Sequence, residues 1–376
     1  MARAWAEIDL GAVAHNVTTL RRMVAPARLC AVVKANGYGH GAAPVGRAAL
    51  EAGADWLAVA QVDEAVALRD AGIEAPILLL SEPRIDEIDD ALATGARLTL
   101  YSPPVIEAVA RAARARPQRG AAPSGPVPVH VKVDTGMRRV GLEPADAVAV
   151  VGDVASRPEL RLEGVLTHLP VADEPDNPFT DEQLVRFGAV LDNLKAAGID
   201  PGIVHMANSA GAIAHPATRF DMVRCGIAVY GIPPAPALAG LADLRPALTL
   251  ASEVSFVKRV RAGEAVSYGH HQRVPCDTVV ATVPIGYADG VFRSLPLRGQ
   301  EVLIGGRRRP MVGVVTMDQV MVDCGPDAEV RPGDPVVLLG AQGDERITPD
   351  EWAERLGTIA YEVVCAVGPR VGRRYR

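Results

Sequence analysis

Long apolar runs are missing from this chain. The longest, such as Ile77 to Leu80, are far too short to cross a bilayer, and no membrane span is expected. Extended Lys/Arg runs are missing too, and the formal net charge is −6. Binding to a nucleic-acid backbone is therefore not expected. The N-terminus, MARAWAEIDL, carries Glu7 and Asp9 where a secretory leader needs an apolar stretch, so the chain is expected in the cytoplasm. Cysteine is scarce: Cys30, Cys225, Cys276, Cys324 and Cys365, with no CxxC pair. That odd set speaks against a disulfide framework or a zinc site and for reduced, buried thiols. Lysine is scarcer still. Lys34, Lys132, Lys195 and Lys258 stand against 35 arginines. Lysine can form a Schiff base and arginine cannot, so the retained lysines merit inspection.

What is present is an ordinary globular balance, 49% hydrophobic and 22% charged over 376 residues. That length suggests two domains, or a large barrel with a partner domain. Short apolar, β-branched runs recur from residue 29 to residue 231: LCAVVKA, WLAVAQ, PILLL, RLTLYS, VPVHVKVDTG, LEGVLTHL, IVHMANS and MVRCGIAVYG. Each has the length of a buried parallel strand. Helical patterns rich in Ala, Leu, Glu and Arg lie between them, such as VDEAVALRDAG and DEQLVRFGAVLDNLKAAG, both ending at glycine. Eight alternations over about 200 residues predict a (β/α)8 barrel. An open doubly wound sheet is the alternative, but it would carry a GxGxxG turn after the first strand, where this chain has KANGYGHG.

Two Pro/Gly/Ala-rich stretches punctuate the chain. Residues 117–128 suggest a surface loop and residues 231–248 a domain junction. Beyond the junction, LTLASEVSFVKRV, TVVATVPIGYADG, EVLIGG, RRPMVGVVTMDQVMVDC and DPVVLLG predict successive strands with glycine turns. In this part only TPDEWAERLG reads clearly as a helix, with a capping box from Thr348 and Glu351. The expected fold class is α/β: a barrel over 10–236 followed by a mostly β domain over 237–376. The segment 1–9 contains a strand that could join either.

In such a barrel the chemistry sits at the C-terminal strand ends. Those ends carry Lys34, Lys132 to Arg139, His168, Asn208 and Ser209, and Arg224 to Gly226. Taken singly, Lys34 suits a surface lysine, His168 a core histidine, and Asn208 and Ser209 helix caps. Together they make a candidate pocket. A partly desolvated lysine beside a glycine-rich turn suits a Schiff base or proton transfer. Pyridoxal phosphate needs such a lysine, a phosphate cradle and a partner for its ring nitrogen. Barrel phosphate sites often follow strands seven and eight, where Ser209, Gly226 and Ile227 fall.

The stretch AVVKANGYGHG resembles the cofactor-attachment motif of the alanine racemase family. The likeness continues, in family order, through HVKVDTGMRRVGLEP, GVLTHL, HMANSAG, MVRCGIAVYG, AVSYGH, PIGYADG, VGVVTMDQVMVD and GTIAYEVVC. It implies a (β/α)8 barrel followed by a β domain, and pyridoxal-phosphate-dependent interconversion of L- and D-alanine, hence a part in D-alanine biosynthesis. Lys34 would carry the cofactor. Tyr38, Ser209, Gly226, Ile227 and Tyr361 would hold its phosphate, with Asn208 lining the cradle. Arg224 would face the ring nitrogen, with His168 beside it. Arg139, Met317 and Asp318 would serve the substrate, and Tyr287 would line the entry. Lys34 and Tyr268 would exchange protons on opposite faces, Tyr268 needing nearby positive charge to act as a base. A homodimer with shared active sites is implied as well.

The chain departs from the family pattern in places. Arg138 stands where glycine is common, LPVADE replaces FATADE after His168, GTIAYEVVC replaces GTINYEVPC, and VTMDQ replaces VCMDQ. Lys132 matches a lysine that many relatives carry as a carbamate. The same architecture also serves pyridoxal-phosphate decarboxylases, and a broader racemase could act on serine. A cofactor carrier would resemble the barrel alone. A metal-dependent hydrolase using His40, His168 and His205 lacks an HxH motif, so no metal is expected.

Overall fold

The computed structural model describes residues 3–115 and 125–376. The stretch read as a surface loop, 117–128, lies mostly outside these residues. The described chain forms two compact units. One comprises Ala12–Gly37 and Ala42–Arg245; the other comprises the residues up to Gly11, Tyr38–Gly41 and Pro246–Arg376.

The opening strand, β1 (Ala4–Ile8), belongs to the second unit. The strands of the first are β2 (Arg28–Val32), β3 (Trp56–Val59), β4 (Ile77–Leu79), β5 (Arg97–Leu100), β6 (Val127–Lys132), β7 (Leu160–Leu166), β8 (Ile203–His205) and β9 (Met222–Cys225). Each matches one of the eight apolar runs. Their near-complete burial explains why the runs lack polar alternation: both faces are covered. All neighbours pair in parallel, in the order β8-β7-β6-β5-β4-β3-β2-β9. At the seam, Asp221 N–H donates to the Val204 carbonyl at 3.0 Å and Arg224 N–H to the Ala207 carbonyl at 3.0 Å, so the barrel nearly closes. Helices follow the strands. In the one spanning Leu10–Val24, Val13, Val17, Leu20 and Val24 recur at three- and four-residue spacing and are buried.

The second unit is mostly β. Its strands are β10 (Leu248–Glu253), β11 (Phe256–Val260), β12 (Ala265–Val266), β13 (Gln272–Arg273), β14 (Thr278–Val283), β15 (Glu301–Ile304), β16 (Arg307–Val312), β17 (Val320–Asp323), β18 (Pro335–Gln342), β19 (Glu345–Ile347) and β20 (Gly372–Tyr375). The main sheet runs β11-β14-β17-β16-β15-β18-β10-β1-β20, with β19 on β18. β1 pairs antiparallel with β10, Ala4 opposite Ser252, and parallel with β20, Trp5 opposite Gly372.

The helix Pro349–Leu356 starts as expected, with Thr348 Oγ1 accepting from Glu351 N–H at 3.1 Å. The carboxylate of Glu351, however, takes two bonds of 3.0 Å from Arg308, which also reaches Glu301 and Glu345. A tertiary ion pair has displaced the other half of the capping box. A second helix, Ala360–Cys365, was not expected. It is too short and too rich in valine to show helical periodicity. The cysteines also correct the reading in part. Cys30, Cys225 and Cys324 are buried, but Cys276 and Cys365 are exposed. Burial pushes the Cys225 thiol up to about 12.

Candidate active site

Lys34 follows β2 and opens a turn of unusual backbone. Ala35, Asn36, Gly37 and Tyr38 all have φ between 50° and 62°, the left-handed region. Such a turn is costly for residues with a Cβ, and strain of this kind gathers at functional sites. Glu64 holds its start: its carboxylate accepts from the N–H groups of Ala35 at 2.5 Å, Ala60 at 2.8 Å and Gln61 at 3.1 Å. Asn36 Oδ1 accepts from Ala42 N–H at 3.0 Å.

Four cations gather where the barrel strands end. Burial, followed by the charges of Arg224, Arg139 and Lys34, pulls the Lys132 ammonium down to about 8, with Asp134 opposing. Lys34, Lys132, Arg139 and Arg224 therefore share one field. Arg139 is exposed, beside Arg138, whose φ of 55° explains why glycine suits that position. The loop before them is tied down by Thr135, whose hydroxyl bonds Thr167 at 2.8 Å and Gln183 at 3.0 Å.

Arg224 is buried and makes four hydrogen bonds. It donates to His205 Nδ1 at 2.9 Å, the Thr167 carbonyl at 2.8 Å, the Met206 carbonyl at 3.1 Å and His168 Nδ1 at 3.2 Å. Burial lowers it, but only to about 10, so it stays cationic at neutral pH. Burial first, then Arg224 and its neighbours, drive the His168 pKa far down, and His168 is neutral. Ser209 Oγ accepts from Gly226 N–H at 2.8 Å and Ala228 N–H at 3.5 Å. Asn208 does cap the helix Ser209–Ala214, its Oδ1 accepting from Gly211 N–H at 3.0 Å. Its Nδ2 also donates to the Leu169 carbonyl at 3.0 Å, tying the cap to the strand end that carries His168.

The remaining candidates lie in the second unit. Tyr38 and Tyr361 form a ring pair with centroids 6.2 Å apart. Tyr268 is 72% exposed and follows Ser267, which sits at φ 67°, ψ −176°, a conformation almost reserved for glycine. The Ser267 hydroxyl anchors that strain by donating to the Val314 carbonyl at 2.8 Å. Ser267, Tyr268, Thr316 and Met321 help line a depression of about 440 Å³. Tyr287 and Met317 are exposed neighbours, with Tyr287 N–H on the Thr316 carbonyl at 3.0 Å and Ala288 N–H on the Met317 carbonyl at 3.1 Å. Gly286 permits this approach, since a Cβ there would lie 2.3 Å from the Met317 carbonyl oxygen. Asp318 pairs with Arg370 at 2.7 Å, and Arg370 with Asp289 at 3.2 Å.

Sequence reasoning missed Glu64, Gln183 and His130, and gave Thr135 no role of its own within the run Lys132 to Arg139. His130 left a signal, a lone histidine in the otherwise apolar run VPVHVK. Glu64 left none, because it acts across 29 residues of chain. Among the described residues, no group of three or more His, Cys, Asp or Glu is arranged to hold a metal ion, and no helix is long and apolar enough to cross a membrane.

Comparison with known proteins agrees with this architecture over nearly the whole chain. Residues 8–234 match the family model "Alanine racemase, N-terminal domain" and residues 247–375 match "Alanine racemase, C-terminal domain". The alanine racemase of Symbiobacterium thermophilum is 50% identical over 375 residues, covering 100% of this chain and 97% of the relative. That of Desulforamulus reducens is 46% identical, covering 99% and 98%. Among solved structures, the alanine racemase of D-cycloserine-producing Streptomyces lavendulae superposes with a TM-score of 0.93 at 41% identity, covering 100% and 97%. The Bacillus anthracis enzyme with bound L-Ala-P gives 0.92 at 39% identity, covering 100% and 95%. With both halves of the chain matched by the family's two domain models, this protein belongs to the alanine racemase family of isomerases.

Proposed function

We propose that the protein interconverts L-alanine and D-alanine with pyridoxal 5'-phosphate on Lys34, using Lys34 and Tyr268 as proton carriers on opposite faces of the substrate Cα. The observation that carries this reading is the cation cluster of Lys34, Lys132, Arg139 and Arg224 at the barrel's C-terminal end. It suits a ligand bearing phosphate and carboxylate charge. The cradle fits the phosphate as well. Ser209 Oγ accepts from Gly226 N–H and so keeps its own proton to donate, and Ile227 and Asn208 lie beside it. Tyr38 and Tyr361 are carried over from the family pattern as further phosphate ligands. L-Ala-P in the Bacillus anthracis structure supports an alanine-like substrate.

When bound, the cofactor supplies an electron sink that makes the substrate's Cα proton acidic. Lys34 removes or returns that proton on one face and Tyr268 on the other, which inverts the centre. Arg224 keeps its own proton at neutral pH and is donor-only, so it offers the ring nitrogen a hydrogen bond without protonating it. That tempers the sink and limits side reactions such as transamination. His168, bonded to Arg224, steadies the guanidinium. Arg139 and the Met317 N–H receive the substrate carboxylate, Asp318 completes the substrate site, and Tyr287 lines the entry.

The exposure of Tyr268, Tyr287 and Met317 suits a homodimer in which each chain completes its partner's site. Lys132, partly neutral near pH 8, is a suitable amine for uptake of carbon dioxide as a carbamate. The decisive experiment incubates the purified protein with L-alanine and L-serine and follows the D-isomers. D-alanine should form faster than D-serine. Borohydride reduction and peptide mapping should place the pyridoxyl label on Lys34; a label on Lys132, Lys195 or Lys258 would overturn the assignment.

A further inference from the structure

Arg224 carries a buried positive charge, yet all four of its hydrogen bonds end on neutral acceptors. The carboxylate of its network lies two imidazoles away. His205, which accepts from Arg224 at Nδ1, has its Nε2 2.9 Å from His130 Nδ1. His130 Nε2 lies 3.5 Å from Glu163 Oε2. Glu163 is fixed in turn by Arg97 at 3.2 Å and Arg161 at 2.9 Å.

The fold goes to some length to build this row. β6 and β7 pair with Val129 opposite Leu162 but His130 opposite Gly164, so Glu163 is the extra residue of a bulge. Bulges re-aim side chains. The next residue must be glycine: a Cβ on Gly164 would lie 2.5 Å from His130 Nδ1. His130 also packs edge-on against Trp56 of β3, with centroids 5.7 Å apart. A contact between β6 and β3, which are not neighbours, must cross the barrel interior. Arg97 and Trp56 begin their strands, whereas Lys34 and His168 follow theirs. The row therefore runs inside the barrel from the C-terminal end towards the N-terminal end.

Its direction is forced. Arginine only donates, and a neutral imidazole has one donor and one acceptor. His205 and His130 are fully buried, and burial lowers both pKa values, which keeps the rings neutral. If Arg224 donates to His205 Nδ1, the His205 proton must be on Nε2. That proton points at His130 Nδ1, so the His130 proton must also be on Nε2. The row then needs a final acceptor: His130 Nε2 is buried with no hydrogen bond of ordinary length among the described residues, and the Glu163 carboxylate, 3.5 Å away, is the group placed to accept its proton.

We propose that His130 and Glu163 are positioning residues for Arg224, Glu163 being the terminal acceptor of a one-way chain from Arg224 through His205 and His130. Its effect on racemisation rests on the role given to Arg224 above; the tautomers do not. The test is two-bond ¹⁵N–¹H NMR of the histidine-labelled full-length protein, with Glu163→Gln and Glu163→Leu alongside. In the unsubstituted protein both rings should carry their proton on Nε2. An Nδ1–H form of either ring would overturn the proposal without any variant. Glu163→Gln, whose amide oxygen can still accept, should keep this signature and an alanine racemisation kcat within about twofold, whereas Glu163→Leu, which leaves the His130 Nε2 proton without its acceptor, should shift the His130 Nε2–H signal and lose about tenfold in kcat, as loss of outer-shell partners commonly costs. Equal loss in both variants, or an unchanged His130 signal in Glu163→Leu, would overturn it. The expected tautomers in a protein that does not racemise alanine would leave the chain standing and remove the proposed function.

Discussion

At the scale of single residues, Lys132 makes the sharpest physical statement. Burial beside three other cations pulls it from an ordinary 10.5 to about 8. Below pH 8 it is charged both folded and unfolded, and the cost of burying the charge is fully present. Between 8 and 10.5 the folded form is neutral while the unfolded chain still binds the proton. Stability attributable to Lys132 must therefore rise with pH across that window. The shift corresponds to about 3 kcal/mol. In buffer freed of carbon dioxide, urea unfolding of the protein and of Lys132→Met should diverge by an amount of that order between pH 7.5 and 10.5, and parallel curves would show that Lys132 is not perturbed. In bicarbonate, mass spectrometry of the intact protein should show one carbon dioxide added at Lys132, and Lys132→Met should lack it.

At the scale of an element, the turn after β2 holds consecutive left-handed residues where the chain passes Lys34. Asparagine and glycine tolerate that conformation; alanine does not. Glu64 clamps the strained start through Ala35 N–H. Relieving the strain at one position, with the backbone bonds kept, should stabilise the protein. Ala35→Gly is expected to raise the unfolding free energy by about 0.5–1 kcal/mol, the relief of a left-handed alanine less the added freedom of glycine when unfolded. Chemical denaturation measures this directly, and a destabilised variant would show that Ala35 is not under strain. The turn at Ser267 stores strain in the same way, next to the other proposed proton carrier.

At the scale of the whole molecule, the proposed proton carriers belong to different units: Lys34 to the barrel and Tyr268 to the β unit. If each site takes its tyrosine from a partner chain, two inactive variants can rescue one another. After subunit exchange between equal amounts of Lys34→Ala and Tyr268→Phe, about half the dimers are mixed, and each has one intact site and one doubly defective site. Racemase activity should then return to roughly one quarter of the unsubstituted level. Exchange demonstrated by mass or light scattering, with no activity regained, would place Tyr268 in its own chain's site.

The alternation of apolar strands with amphipathic helices was legible in the sequence, because period and run length are local properties. So was the lysine at the end of the first barrel strand, followed by its glycine-rich turn. Which sheet β1 joins was not legible: its partners, Leu248–Glu253 and Gly372–Tyr375, lie at least 240 residues away. Nor could periodicity reveal the helix Ala360–Cys365, held by burial of Val363 and Val364 rather than by propensity. Tertiary structure alone decided the surroundings of Arg224. The MVRCGI motif names the arginine, but its four acceptors come from the ends of β7 and β8. The row beyond it depends on one bulge and on a glycine that leaves room for an imidazole. A chain can announce its strands through neighbours in sequence. Hydrogen-bond direction is settled only when donors and acceptors from distant segments are brought within about 3 Å.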